Sequence, residues 1–453
     1  MALIDSLRQY RGKRIYVLGL GVSNRPLVRL LCQAGLDVTA CDRSDRSSIE
    51  ETARELESYG AKLRLGPGYL DGAEADLVFR TPVMLPTTPE VSLFARQGAE
   101  ISSEMELFCR LCPAKLIAVT GSDGKTTTTT LIAEFLRAAG KRVFLGGNIG
   151  TPLLEDLDKM GPDDFAAVEL SSFQLMNMTC RPDRAVITNL APNHLDLHSS
   201  MEEYVTAKKN IFLRMEKSST LILNLDNSIT RSLAPEAPCA LSSFSREDPS
   251  ASFFFDGERI FRHGIPVLKR SDILLPGTHN VENYMAAMAA VEGLVPDAAI
   301  TQVAKSFGGV EHRMELVREL RGVKYYNDSI ASSPTRTIAG LRCFSEPVIL
   351  IAGGYDKKLS FEELGREIYH RVKVLILCGD TAPKLKKAVL SSGMEPPKIL
   401  ETDEFDDVVS LASREAKAGD SVLLSPAAAA FDRFKNFAVR GRHFKELVNL
   451  LSE

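Results

Sequence analysis

The stretch that most constrains the fold is Lys115 to Leu131, which reads KLIAVTGSDGKTTTTTL. Leu116 to Val119 is a short apolar, partly β-branched run, the kind that forms a buried parallel strand. Gly121-Ser-Asp-Gly124 is a turn signal, and from Lys125 threonines lead into an apolar stretch that runs to Gly140. The pattern is strand, glycine turn, helix. At such a junction the first-turn amides have no intrahelical partner, and together with the helix dipole they make an anion site. Lys125 adds a positive charge for the terminal phosphates, and the Thr126 hydroxyl can meet Mg2+. The common phosphate-loop pattern G-x-x-x-x-G-K-[ST] has its first glycine where this chain has Val119. The stretch predicts a nucleoside triphosphate site, with Gly121, Ser122, Asp123, Gly124, Lys125, Thr126 and Thr127 around the phosphates.

A chain of 453 residues is too long for one domain, and its length suggests about three. With 44% apolar and 25% charged residues, the composition is that of an ordinary globular protein. A net charge of -4 argues against a dedicated nucleic-acid binder. There is no signal-type apolar region at the start and no run long enough to span a bilayer, so no membrane span is expected. The eight cysteines are thinly scattered, which fits a reducing, cytoplasmic setting. Cys109-x-x-Cys112 lacks a second pair and a nearby histidine, which argues against a metal site there.

Arg14 to Leu18 reads as a strand, and Gly19-Leu-Gly21-Val22-Ser23-Asn24 opens a helix with Leu27, Val28, Leu30 and Leu31 on its apolar face. A second strand, Asp37 to Cys41, ends at Asp42, about twenty residues beyond the glycines, as in a dinucleotide-binding βαβ unit. Asn24 stands in place of the third glycine, so the segment fits a general nucleotide-phosphate site better than NAD. Thr81-Pro82 follows a strand-like segment, Asp76 to Arg80, where open α/β sheets place ligands.

In the centre, Phe165 to Leu170 runs into Glu169-Leu-Ser171-Ser-Phe-Gln174. A carboxylate at a strand's carboxyl end, in a sheet that already holds a phosphate loop, is an expected Mg2+ ligand. Another strand leads into Asn189-Leu-Ala-Pro-Asn-His194-Leu-Asp196, where His194 is either a ligand or an incidental loop histidine. Lys208 and Lys209 lie on a helix, and by themselves two such lysines read as a solvated face. In the last third, strand ends gather Asn327-Asp328-Ser329, Gly353-Gly354-Tyr-Asp-Lys357-Lys358, Gly379-Asp380 and Ser425-Pro426, the composition of a binding crevice. The alternation of short strands and helices makes the fold α/β: 1–103, 104–309 and 310–453 read as three domains, the outer two Rossmann-like and the central one of phosphate-loop mononucleotide-binding type.

TGSDGKT, GGNIGTP, ELSSFQL, NHLD, YVTAKK, GTHNVEN, EHRMELV, YYNDS and SPAAAAFDRFKNFAVRGRHF occur in the order found in the Mur ligases. The resemblance spans essentially the whole chain, and ELSSFQL and FKNF-x-x-RG resemble the D-glutamate-adding branch. It implies an ATP-dependent ligase that adds D-glutamate to UDP-N-acetylmuramoyl-L-alanine through an acyl phosphate, in peptidoglycan precursor synthesis. Lys125 and the loop amides would hold the phosphates; Thr126, Glu169 and His194 would place Mg2+, expected as two ions. Lys208 would be carbamylated and act with them. Asn283, Arg313 and Asp328 would hold the nucleotide. Gly21, Val22, Ser23, Asp42, Arg43 and Thr81 would receive the uridine diphosphate part, with Asn148 and Ser171 nearer its sugar end. Lys357, Ser332, Phe431 and Phe437 would form the D-glutamate pocket, with Lys358 able to take the role of Lys357. A monomer is expected.

Four positions depart from the family pattern. Ile330 follows Asn-Asp-Ser where lysine is common, Ala430 stands where serine is frequent, Val83 replaces a glycine, and Asn193 an acid. Two other classes stay open on the sequence: a related ATP-dependent ligase with another amino acid, and a non-enzymatic nucleotide-binding module or dehydrogenase. Gly308-Gly309-Val310, just before Glu311, reads as a hinge.

Overall fold

The structure, a computed structural model, describes residues 3–192, 197–391 and 395–452. Among the described residues, twenty strands form three sheets. The first holds β1 (Arg14–Leu18), β2 (Asp37–Asp42), β3 (Lys62–Leu65), β4 (Leu77–Arg80) and β5 (Glu100–Ser102), in the order β3-β2-β1-β4-β5. All its pairings are parallel, so every strand ends on one edge. Leu18 pairs with both Cys41 and Arg80, which puts Gly19, Asp42 and Thr81 at the same level of that edge. This is the doubly wound arrangement expected from alternating strand and helix segments.

The second sheet holds β6 (Lys115–Thr120), β7 (Val143–Gly147), β8 (Phe165–Glu169), β9 (Arg184–Ile187), β10 (Thr220–Asn224) and β11 (Ala240–Ser245). It continues with β12 (Phe253–Phe255), β13 (Arg259–Arg262) and β14 (Ile265–Lys269), in the order β14-β13-β12-β11-β10-β9-β6-β8-β7. The run from β7 to β12 is parallel, and β13 and β14 are added antiparallel. That antiparallel end has no counterpart in the sequence reading, because each of its two antiparallel strands buries one side chain, Ile260 or Leu268, among exposed and half-buried ones instead of forming an apolar run. The inner strands β6 and β8 are buried almost throughout, as parallel strands covered on both faces must be.

The third sheet holds β15 (Glu315–Leu320), β16 (Val323–Asn327), β17 (Val348–Ala352), β18 (Val372–Leu377), β19 (Lys398–Glu401) and β20 (Ser421–Leu424), in the order β15-β16-β20-β17-β18-β19. Only β15 is antiparallel to its neighbour. Asn327 and Ile351 both pair with Leu424, so Asp328, Ser425 and Ala352 share one edge.

The chain forms two compact units. The first comprises Met1–Asp272 with Val281–Val303, the second Ile273–Asn280 with Ala304–Glu453. One apolar core runs through both sheets of the first unit, from Leu7, Val17 and Leu31 to Phe108, Val168 and Tyr204. In the second unit the third sheet has a core on each face, one around Tyr325 and Phe444, the other around Leu350 and Leu385. Among the described residues no helix is long and apolar enough to cross a membrane.

Candidate active site

The phosphate loop forms as its sequence predicts. Strand β6 ends at Thr120, the chain turns through Gly121–Gly124, and a helix runs from Lys125 to Ala138. Gly124 caps that helix at φ 76°, and a Cβ there would stand 2.2 Å from Asn283 Oδ1. Only glycine meets both demands. The loop is pinned from several sides. Asp123 N donates to Asn189 Oδ1 at 2.9 Å, and the Thr188 hydroxyl donates to Asp123 O at 2.6 Å. Ala191 N donates to Ser122 Oγ, and the Ser122 hydroxyl lies 2.9 Å from the Tyr204 hydroxyl. Lys125 Nζ folds back onto Ser122 O at 2.8 Å. Asn283 is buried, and Thr128 Oγ1 donates to its Oδ1 at 3.3 Å.

Glu169 sits at the end of β8, between Val119 of β6 and Gly147 of β7. Its side chain is 2% exposed. Thr126 Oγ1 donates to Oε2 at 2.7 Å, and Asn148 Nδ2 donates to Oε1 at 2.9 Å. This contact is possible because Gly147 (φ 97°) lets the chain cross close to β8; a Cβ there would lie 2.2 Å from Glu169 O. Lys208, near the end of the helix Met201–Lys209, is 1% exposed. Its Nζ donates to Gly121 O at 2.8 Å and Thr120 Oγ1 at 3.1 Å, and lies 4.8 Å from the Tyr204 ring centre. Burial, and then the Lys125 charge, pull the Lys208 pKa well below the usual lysine range. Lys209 is only partly buried and pairs with Glu236, so of the two lysines only Lys208 turns into the site.

Thr126, Glu169 and Lys208 are thus brought to one edge of the central sheet, around the phosphate loop. His194, with Asn193, lies outside the described residues. Among the described residues no cluster of three or more acidic, histidine or cysteine side chains could cage a metal. A hydroxyl, a carboxylate and an amide suit Mg2+ instead, which typically takes one or two protein oxygens and completes its shell with phosphates and water.

At the edge of the first sheet, Asp42 accepts from Leu20 N through Oδ2 and from Ser44 N through Oδ1, both at 2.8 Å. Burial pushes its pKa up, but these donors outweigh it and hold the carboxyl below its usual range. Asn24, in the third-glycine position, is buried and donates to Leu18 O and Gly19 O. It tightens the turn by side-chain bonds where a glycine would do so by backbone freedom. Gly21, Val22 and Arg43 are exposed, and Ser23 and Thr81 half-buried, around the same edge. Ser171, two residues past Glu169, caps a short helical turn in a reciprocal box with Gln174.

In the second unit, Asp328 is buried at the end of β16. Ser425 Oγ donates to its Oδ2 at 2.8 Å and Met314 N to its Oδ1 at 3.3 Å. Burial pushes the Asp328 carboxyl up to about 7. Arg313 lies between His312 (φ 64°) and Met314 (φ 45°), two non-glycine residues in the left-handed region, the kind of stored strain that gathers at functional positions. Ser332 and Lys357 follow β16 and β17, Phe431 follows β20, and Phe437 begins the helix Phe437–Leu450. Ser329 Oγ donates to Phe437 O at 2.8 Å, and the exposed Phe431 ring meets Tyr355 edge-on at 6.0 Å. Lys357 and Lys358 are both exposed; Lys358 N donates to Asp356 Oδ1.

The sequence reading missed several residues of these networks. His198 is 2% exposed, stacked on Phe173 with centroids 5.0 Å apart, and its Nε2 lies 2.9 Å from Ser172 Oγ. Arg440 is buried and bonds Ser329 Oγ and the carbonyls of Ser329, Ala428 and Ala429. His198 carries no local signal. Arg440 lies inside FAVRG, whose partners are remote in sequence.

Residues 119–291 match the description of the Mur ligase middle domain, and 312–428 that of the Mur ligase, glutamate ligase domain. The chain is 49% identical to the UDP-N-acetylmuramoylalanine–D-glutamate ligase of Acetivibrio thermocellus, covering 99% of this chain and 98% of the relative. It is 48% identical to the protein of that name from Clostridium novyi, over 97% of each. The crystal structure of the UDP-N-acetylmuramate-alanine ligase of Thermotoga maritima shares the fold, with a TM-score of 0.58 at 18% identity over 96% of this chain and 99% of that one. Identity near one half along nearly the full length of both sequences means that this chain belongs to the Mur ligase family.

Proposed function

We propose that the protein is the ATP-dependent ligase that joins D-glutamate to UDP-N-acetylmuramoyl-L-alanine in the cytoplasm, as a monomer, in the synthesis of peptidoglycan precursors. The observation that carries this reading is the triad of Thr126, Glu169 and Lys208 around a pinned phosphate loop, in a chain 49% identical to a protein named for that reaction. Residues 1–103 receive the uridine diphosphate part, 104–309 activate ATP, and 310–453 supply the amino-acid pocket.

The chemistry suits the residues. The carboxylate of the alanyl substrate attacks the γ-phosphorus of ATP, and ADP leaves with the bridging oxygen. The amine of D-glutamate then attacks the acyl carbonyl, and inorganic phosphate leaves as the amide forms. Both transfers are governed by positioning and charge neutralisation. The loop amides, Lys125 and Thr127 hold the phosphates, while Asn283, Arg313 and Asp328 hold the rest of the nucleotide. Thr126, Glu169 and His194 would hold Mg2+, two ions in this reading, which would neutralise charge on the transferring phosphoryl group. Lys208, whose pKa burial lowers, would take up CO2 as a carbamate and supply anionic oxygens to the same site. Gly21, Val22, Ser23, Asp42, Arg43 and Thr81 line the uridine diphosphate site, with Asn148 and Ser171 towards the sugar. Lys357, Ser332, Phe431 and Phe437 take the amino acid. Assaying the purified protein with a panel of amino acids tests the assignment. D-glutamate should be the one consumed, and equal turnover with another amino acid would assign the chain to a different ligase.

A further inference from the structure

We propose that Arg80 is a positioning residue that fixes the separation between the turn receiving the uridine diphosphate end of the substrate and the strand end carrying Glu169. In this role it sets the length of substrate that the site accepts. The inference rests on the proposed function.

Arg80 is the last residue of β4, after the apolar run Leu77-Val78-Phe79. It is 2% exposed. Among the described residues its hydrogen bonds go to main-chain carbonyls. Nη1 donates to Thr81 O at 3.3 Å and Met84 O at 3.2 Å, both in the turn after β4. Nη2 donates to Phe173 O at 2.8 Å, in the turn after β8 of the central sheet. One guanidinium therefore joins the carboxyl-end turns of two different sheets within one compact unit.

Both turns are held by internal contacts. Met84 N closes the first onto Thr81 O at 3.1 Å. The second is held by the Ser171–Gln174 box and by stacking of Phe173 on His198. In the proposed role these contacts couple Arg80 to Ser171 and, through the end of β8, to Glu169. A second strut lies alongside: Glu106 accepts from Ser102 Oγ at 3.2 Å and from Thr179 Oγ1 at 3.1 Å, again tying the first sheet to the segment after β8. A strand end that only needed packing would be served by another apolar side chain, since burying a guanidinium is costly. The planar fork, reaching acceptors in two directions at once, is what lysine could not supply.

A substrate with uridine diphosphate at one end and the reacting carboxylate at the other must span from the Thr81 edge to the Glu169 edge. Its two ends bind cooperatively only if that distance is right. Titration calorimetry of the intact protein and of the Arg80→Met and Arg80→Lys variants tests this with three probes: UDP, UDP-N-acetylmuramoyl-L-alanine and a non-hydrolysable ATP analogue. In Arg80→Met, the affinity advantage of the full substrate over UDP should fall about tenfold or more, the scale of a small misplacement. UDP and the ATP analogue should each stay within about threefold of wild type. Arg80→Lys should recover part of the advantage. An unchanged advantage overturns the proposal, as does equal weakening of UDP and full substrate, which would mean that Arg80 only supports its own turn. If Arg80→Met fails to bind the ATP analogue, the lysine variant decides, and an undiminished advantage there overturns the proposal. A wild-type protein that ignores the full substrate would instead contradict the proposed function.

Discussion

Thr126 Oγ1 donates a 2.7 Å hydrogen bond to Glu169 Oε2, joining the first turn of the phosphate-loop helix to the end of the neighbouring strand. Both groups are buried, and each is an oxygen ligand suited to a hard cation. Glu169→Ala should lower the ligation rate by about 10²-fold or more, the usual effect of removing one charge-stabilising group. Binding of the UDP substrate and the melting curve should stay near wild type. Steady-state ADP formation checks this, and a wild-type rate would remove Glu169 from the mechanism.

The phosphate loop depends on Gly124 for two separable reasons. Its φ of 76° disfavours any side chain, and a Cβ would meet Asn283 Oδ1 at 2.2 Å. Gly140, at φ 74°, has open space around its Cα, so Gly140→Ala carries only the conformational term, about 1–2 kcal/mol. Gly124→Ala should cost more than that and should also weaken ATP-analogue binding, which Gly140→Ala should not. Denaturant melts and a binding titration of the two variants give the comparison; equal effects would mean that the Asn283 contact is unimportant.

The strands with continuous apolar runs, the glycine turns at their ends, and the polar residues that follow them were all legible in the sequence. Glu169 was expected at a strand's carboxyl end, and the register places it there, beside Val119 and Gly147. What was not legible is the set of partners that come together only through folding. Arg80 and Phe173 are 93 residues apart, and Arg440 and Ser329 are 111 apart. A buried arginine looks like a surface arginine until its carbonyl partners are known. Asp42 shows the same limit. Its place at the end of β2 could be read from the sequence, but not that both its oxygens accept main-chain amides.

Asp328 gives a pH signature. Its carboxyl ordinarily loses its proton near 3.8, and burial in the native chain pushes this up to about 7. Between those values the native state binds more protons than the unfolded one, so stability falls as pH rises. The contribution is fully present below 3.8 and lost as pH passes through 7. Asp328→Asn keeps an acceptor for Met314 N and cannot ionise. The melting temperature of the variant, taken relative to wild type, should therefore rise between pH 5 and pH 8, by roughly 2–4 °C for each kcal/mol recovered. A difference that is constant across that range would contradict the assignment.

Lys208 should be the most sensitive lysine in the protein. It is 1% exposed with its amine on Gly121 O and Thr120 Oγ1, and burial lowers its pKa well below the usual range. That shift favours the neutral amine that reaction with CO2 requires. Lys208→Ala should be nearly inactive and partly restored by acetate or formate, small carboxylates that can occupy the vacated space. Full activity without added acid would exclude the carbamate.

The most direct measurement is ADP release by the purified protein with Mg2+ and ATP, with each co-substrate left out in turn. Release should require both UDP-N-acetylmuramoyl-L-alanine and D-glutamate, and should fall to background when either is missing. ADP release that is indifferent to D-glutamate, or that proceeds without the UDP substrate, would contradict a ligase of this specificity.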